Sequence, residues 1–356
     1  MKRIHIDELC EGMILGEDIV GKYDIVLLTS GTILTDKQID NLKKIHLNYV
    51  YVMETDDANI ESGINNQSEA PSVIIVDRKL NIEYHKSMKS FKDMYHNLGL
   101  GKKIEKEVVD KSVKPLIDEV LSHNNILGRL RQIETGDAYT FNHSMGVCVL
   151  STMIGKWLDY SSSDLNKLAT AALLHDVGKG KIPAEILNKP GPLTTEEFEI
   201  IKKHSVFGYE MVKGTEGIDH DICCGILQHH ERMNGSGYPF GIKGDRIHEF
   251  AKIIAIADIF DAMTSNRVYK TKESPFKVAE ILAENSFASL DPYIANVFLS
   301  NISKFYVGNI VKLSTGEVGE IVLLNQQMPT KPLVKTENGF VDLLKFKEIE
   351  IVDVIA

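Results

Sequence analysis

Seven side chains in this sequence have the chemistry to bind metal ions. They are five histidines (His143, His175, His204, His229 and His230) and two aspartates (Asp176 and Asp258). His175-Asp176 offers an imidazole beside a carboxylate, and His229-His230 offers two adjacent imidazoles. A buried histidine taken singly is more often a hydrogen-bonded core residue; it is the set that points to metal. Each member falls on an expected helix or at its end, so residues far apart in the chain can converge on one cleft. Imidazole and carboxylate without thiolate disfavour structural zinc and suit iron, manganese or another first-row divalent ion with open positions. Two such ions about 4 Å apart can hold a hydroxide and bind phosphate oxygens, which is what hydrolysis of a phosphate ester needs.

Two further residues, Lys179 and Asp261, fit that chemistry, and the setting of Asp258 supports it. Lys179 follows Asp176 by three positions, where a phosphate on the metals would lie. Asp258 sits inside the apolar run Lys252–Phe260, where a carboxylate is costly to bury unless a cation or metal pairs with it. Asp261 comes one helical turn later on the same face, placed either to orient a ligand or to act in catalysis. No Ser-His-Asp set competes, and Gly178-Lys179-Gly180-Lys181 lacks the spacing of a nucleotide P-loop.

The elements that must position these residues read as mainly helical. Residues 126–305 show helical patterning, with Thr194-Thr195-Glu196-Glu197 as a capping box and Ser274-Pro275 and Asp291-Pro292 as helix starts. Residues 1–53 read as a small α+β module of short strands with a helix from Asp36. Residues 54–72 read as a polar linker, and 73–125 as connecting helices broken near Gly99-Leu100-Gly101. Residues 306–356 read as a small β domain. The apolar stripe Met88, Phe91, Met94, Tyr95 and Leu98 suits either a homodimer contact or plain core packing.

Composition excludes several classes. The chain has 356 residues and a formal net charge of −10, so a broad basic surface for polymeric nucleic acid is not expected. Four cysteines (Cys10, Cys148, Cys223 and Cys224) are too few for a disulfide framework, and a reducing cytoplasm is the expected compartment. The vicinal pair Cys223-Cys224 reads as helix packing. Asp7 and Glu8 interrupt any signal-peptide core, and no apolar run approaches the roughly 20 residues of a membrane span.

The segment from His229 to Pro239, H-H-E-R-M-N-G-S-G-Y-P, is far more specific than the His-Asp pair. With H-D-V-G-K (175–179) and D-I-F-D-A-M-T-S-N-R-V-Y-K (258–270), it closely resembles the HD-GYP family over about residues 126–305. The resemblance implies an all-helical HD-type bundle flanked by a small N-terminal α+β module and a small C-terminal β module. It implies hydrolysis of the bacterial second messenger cyclic di-GMP to linear pGpG, and in some members on to GMP. Position by position, His143, His175, Asp176 and Asp258 match the quartet holding one metal. Asp176 matches the bridge to a second metal, whose other ligands match His204, His229 and His230. Lys179, Arg267 and Lys270 match contacts to substrate phosphate. Gly235, Gly237, Tyr238 and Pro239 match the signature loop, in which Tyr238 is suited to stack on or hydrogen-bond a guanine. The alternative for that loop is a role in shaping the cleft or contacting a partner protein. Relatives that bind a third metal carry a Glu one turn before the first His. Tyr139 stands there in this chain, so two metals are expected, iron or manganese. Glu185, in the segment matching the family's lid, reads as structural or substrate-lining.

Two other readings stay open. One is a low-turnover sensor that binds cyclic di-GMP. The other is a hydrolase of another cyclic dinucleotide such as cyclic GMP-AMP.

Overall fold

The computed structural model describes residues 2–16, 19–20, 26–28, 31–44, 49–52, 78–99, 102–122, 139–265, 273–286, 289–325 and 328–355. The expected linker at 54–72 lies outside the described residues. The chain divides into two compact units, residues 1–77 and 78–356.

In the first unit, β1 (Lys2–His5) pairs antiparallel with β4 (Tyr49–Val52), and β2 (Ile19–Val20) with β3 (Val26–Leu28). Helix α1 (Asp36–Lys44) opens where the Thr35 hydroxyl and backbone amide meet the Gln38 side chain, a reciprocal capping arrangement. Ile14 and Leu15, expected as strand, make single bridges to Ile33 and Val52. Their backbone needs are met by the facing loop, with Leu15 N–H on Thr32 and Leu34 N–H on Met13. Ile4, Ile6, Leu15, Leu34, Ile39, Leu42, Val50 and Val52 form this unit's own core.

The second unit begins with α2 (Arg78–Gly99) and α3 (Lys106–Ser122), which pack on one another. Met88, Phe91 and Met94 are buried in the same cluster as Val109, Val113 and Leu116 of α3. The stripe on α2 thus faces the core of its own chain, the second of the two readings above. Next come α4 (Tyr139–Trp157), α5 (Ser162–Leu174), a 3-10 turn (Val177–Lys181), α6 (Ala184–Leu187), α7 (Thr195–Lys202), α8 (His204–Val212), α9 (His220–Gln228), α10 (Glu249–Thr264), α11 (Pro275–Ser286) and α12 (Pro292–Ile302). The capping box at Thr194 is present, with both reciprocal bonds to Glu197. It opens α7 alone, and not the helix carrying His204 as the sequence suggests, because α7 ends at Lys202 and α8 begins at His204.

Helices α4 and α10 are apolar on nearly all sides and lie in the middle of the bundle, packed against each other, with α5 on α4 and α9 on α5 and α10. Phe260, Phe298, Met145, Leu150 and Ile154 are fully buried there. Each such side chain contributes roughly 2 kcal/mol of hydrophobic stabilisation. The C-terminal strands form one antiparallel sheet in the order β8-β7-β6-β5-β9, with β5 Ile310–Leu313, β6 Val318–Leu323, β7 Leu333–Thr336, β8 Gly339–Asp342 and β9 Ile351–Val354. Alternation buries Val311, Leu313, Ile321 and Val334, and these join the helical core rather than forming a separate one. Cys223 and Cys224 are reduced and buried in α9, as a packing role requires.

One close approach sets the position of α8. A Cβ on Gly178 would lie 1.9 Å from the His204 carbonyl oxygen and 2.4 Å from the Gly208 nitrogen, so only glycine lets the 3-10 turn touch this helix. Gly178→Ala is expected to cost about 3 kcal/mol in urea unfolding, near the upper end of ordinary overpacking because the obstacle is backbone. Stability equal to the parent protein would mean that the turn and α8 do not meet.

Candidate metal centre

Three helix ends each deliver a histidine by the same device. His175 follows α5, His204 follows α7 by one residue, and His229 follows α9. In each, the ring Nδ1 lies 2.7 Å from the carbonyl oxygen three residues earlier: Ala172, Ile201 and Ile226. The last carbonyls of a helix have no intrahelical partner, so a ring N–H satisfies one of them. Donation from Nδ1 leaves the Nε2 lone pair of each ring aimed away from its helix.

His143 is different, because it lies inside α4 with no free carbonyl at hand. Its Nδ1 sits 2.7 Å from Asp261 Oδ2, and its Nε2 3.1 Å from Asp258 Oδ1. Asp261 thus touches the His143 ring, as an orienting role requires. Asp258 and Asp261 project from the same face of α10.

Asp176 stands at the centre. The backbone turns out of α5 there, at φ −99° and ψ 5°. Oδ2 lies 3.3 Å from His175 Nε2 and 3.8 Å from His143 Nε2; Oδ1 lies 3.4 Å from His204 Nε2. The Lys179 ammonium is 2.5 Å from Oδ2. The ligand atoms fall into two groups, each with all members within 4.8 Å of one another: His143, His175 and Asp258, and Asp176, His204, His229 and His230. All seven candidates from the sequence are therefore brought together.

The charge states suit ligation. Burial, with neighbouring imidazoles, holds His229 and His230 far below the usual histidine range, His230 at about 3, and burial also lowers His204. These rings are neutral with a free lone pair at pH 7. Burial alone would raise Asp176 and Asp258, but Lys179 and His175 beside the first, and His143 beside the second, hold both well below the carboxylate range. His143 is the exception: burial would lower it, yet its bonds to Asp258 and Asp261 raise it to about 10, so without metal the ring carries a proton that ligation would displace. The fit to metal rests on two orphans: His175 Nε2 and Asp176 Oδ1 are buried with no hydrogen-bond partner. A native structure rarely leaves such atoms unpaired, and a divalent ion would satisfy both.

The signature loop folds back over this group. Tyr238 N–H donates to the His230 carbonyl at 3.2 Å, and the Tyr238-Pro239 peptide is cis. The Tyr238 ring lies 4.6 Å from that of His230, with Lys202 Nζ 5.8 Å from its centre. A Cβ on Gly237 would come within 2.4 Å of the His230 carbonyl oxygen, so glycine is needed for the return. Gly235 turns the loop at φ +81°. Sequence reasoning missed Glu231. Its buried carboxylate accepts the backbone N–H groups of Phe240 at 2.7 Å and Ile242 at 3.1 Å, and so latches the far side of the loop onto the end of α9. The signal was present as an acidic residue directly after the ligand pair. Glu185 lies in α6 and belongs to neither ligand group. Arg267 and Lys270 lie outside the described residues.

Asp261→Asn keeps the shape of the side chain but removes the charge that holds the His143 ring through Nδ1. Affinity for Mn(II) should fall by about 10- to 100-fold, the usual effect of removing a ligand's supporting carboxylate. Metal titration by calorimetry checks this; unchanged affinity would remove Asp261 from the centre.

Comparison with known proteins fits this geometry. The HD domain family model matches residues 114–294. The chain is 32% identical over 245 residues to the cyclic di-GMP phosphodiesterase PA4108 of Pseudomonas aeruginosa, covering 68% of this chain and 58% of that protein. It is 33% identical over 203 residues to the 3'3'-cGAMP-specific phosphodiesterase 1 of Vibrio cholerae, covering 56% of this chain and 46% of that protein. The chain thus spans about half the length of the curated relatives it matches. In structure it resembles Bd1817, an HDG"Y"P protein from Bdellovibrio bacteriovorus, with a TM-score of 0.55 at 19% identity, over 85% of this chain and 99% of that one, a likeness of fold. The chain belongs to the HD domain family.

Proposed function

We propose that this chain is a metal-dependent phosphodiesterase that opens cyclic di-GMP to linear pGpG. The observation that carries the reading is Asp176, whose two carboxylate oxygens face different histidine groups. In this reading His143, His175, Asp176 and Asp258 hold one divalent ion, and Asp176, His204, His229 and His230 hold a second. The nitrogen and oxygen donor set favours iron or manganese. Bound there, such ions supply a hydroxide near neutral pH and positive charge toward the phosphoryl oxygens.

The residues of the chain do the rest. The three carbonyl-anchored imidazoles are held in one tautomer and Asp261 fixes the direction of the His143 ring, so the donors need no reorientation when the ligand arrives. Lys179 adds a fixed ammonium beside Asp176, where charge builds on the phosphoryl oxygens during in-line displacement. Arg267 and Lys270 are proposed as further phosphate contacts from their match to the family pattern. Burial and the nearby Asp258 and Asp176 charges raise the Tyr238 phenol, which therefore stays protonated and able to donate to a guanine or stack on it. The Glu231 latch holds that loop in place.

A second substrate, cyclic GMP-AMP, is favoured by one observation: a relative of equal identity carries that specificity in its name. The two purines differ at the base edge, so the loop around Tyr238 is where the choice would be made.

The double variant His175→Ala, Asp176→Ala should lose metal content and hydrolysis together, to background. Elemental analysis and chromatography of products from cyclic di-GMP and cyclic GMP-AMP test both. Full turnover by the double variant would refute the assignment, and binding without any linear product would favour a sensor.

A further inference from the structure

Helix α2 lies outside the matched segment 114–294, yet it places a side chain beside the metal centre. Tyr95 is half-buried on this helix, which packs against the 3-10 turn carrying Lys179 and Gly180. A Cβ built on Gly180 would lie 3.3 Å from the Tyr95 hydroxyl, so the hydroxyl rests directly over that turn. The ring is held edge-on by Phe141 at 5.3 Å and by Phe91 at 6.5 Å. Phe141 is two residues before His143 on α4. Apolar rings thus fix the phenol on one side, and its polar end is directed to the turn that begins at Asp176.

That polar end has no hydrogen-bond partner among the described residues. The ring is half-buried and its hydroxyl keeps contact with solvent, so it is open to an incoming group. Burial and the Asp176 charge push its ionisation up to about 12, so it keeps its proton and acts as a donor. It is placed to donate to an acceptor over this turn, which also carries Lys179. An anionic oxygen fits that place, because a cation stands next to it.

We infer that Tyr95 is a positioning residue for substrate, its hydroxyl donating a hydrogen bond to a phosphodiester oxygen held over the turn from Asp176 to Lys181. This rests on the phosphodiesterase reading for the ligand, but not on which dinucleotide is cleaved. The competing explanation is that the ring only fills space between Phe91 and Phe141, in which case phenylalanine would serve as well.

Tyr95→Phe separates the two, since it removes one oxygen and keeps the ring. Full-length Mn-loaded protein would be assayed with cyclic di-GMP and with bis(4-nitrophenyl) phosphate, a diester that carries no base. Binding of inorganic phosphate would be measured by calorimetry, with metal content and Tm in parallel. The variant should show KM raised about tenfold for both esters and phosphate bound about tenfold more weakly, the scale of a lost hydrogen bond to a charged group. Its kcat should change much less, and metal content and Tm should match the parent. KM and phosphate affinity equal to the parent would overturn the inference, as would a loss tracked by falling metal content or Tm. A parent protein that binds phosphate and cleaves the simple diester, yet ignores every cyclic dinucleotide, would remove the proposed substrate and leave Tyr95 to be judged on the other two readouts.

Discussion

Two ionised carboxylates lie buried among five imidazoles, and the rest of the structure answers to that fact. Removing a carboxylate from water costs several kcal/mol even after relaxation. Asp176 meets part of the cost through Lys179, and Asp258 through His143. The compensation is incomplete, because His175 Nε2 and Asp176 Oδ1 remain unpaired. A cluster that pairs its charges but orphans two central atoms is built around something absent from the polypeptide. Divalent cations are the groups that satisfy both atoms at once.

Precision in that cluster comes from ordinary helix chemistry. Every α-helix ends with carbonyls that lack partners. Here α5, α7 and α9 each satisfy one with an imidazole, and the bond that completes the helix also fixes the ring. The fourth ring, on α4, has no such carbonyl and uses the Asp261 carboxylate from α10 instead. Helices α4 and α10 can carry His143 and Asp258 because their remaining faces are apolar and hold them in the bundle centre. Rigidity and ligand direction therefore have the same source, which is what preorganisation of a charged site requires.

The loop that follows His229-His230 extends this economy. It returns to the His230 carbonyl, and Glu231 captures its outer limb by two backbone N–H groups. Glycine at 237 is imposed by the closeness of that return. The loop thus forms a wall against the second ligand group, with the Tyr238 ring over His230.

Much of this was legible in the residues alone. Histidine and aspartate cannot hide their chemistry, and the motifs from His175, His229 and Asp258 have specific spacing, so all seven ligand candidates and the helical class could be read directly. Capping signals are equally local, and Thr194, Asp219 and Asp291 start helices as their side chains predict. Pairings across the chain were not legible. Nothing in the sequence divides the seven ligands between two groups except the family resemblance, and nothing joins Asp261 to His143, 118 positions earlier. Whether the stripe on α2 met another chain or its own core, where Tyr95 came to rest, and what Glu231 held were all decided by packing. Local composition specifies which groups can ligate and where helices begin, because those depend on a few adjacent residues. Which groups meet depends on how apolar faces bury one another, and that is settled only when the whole bundle closes.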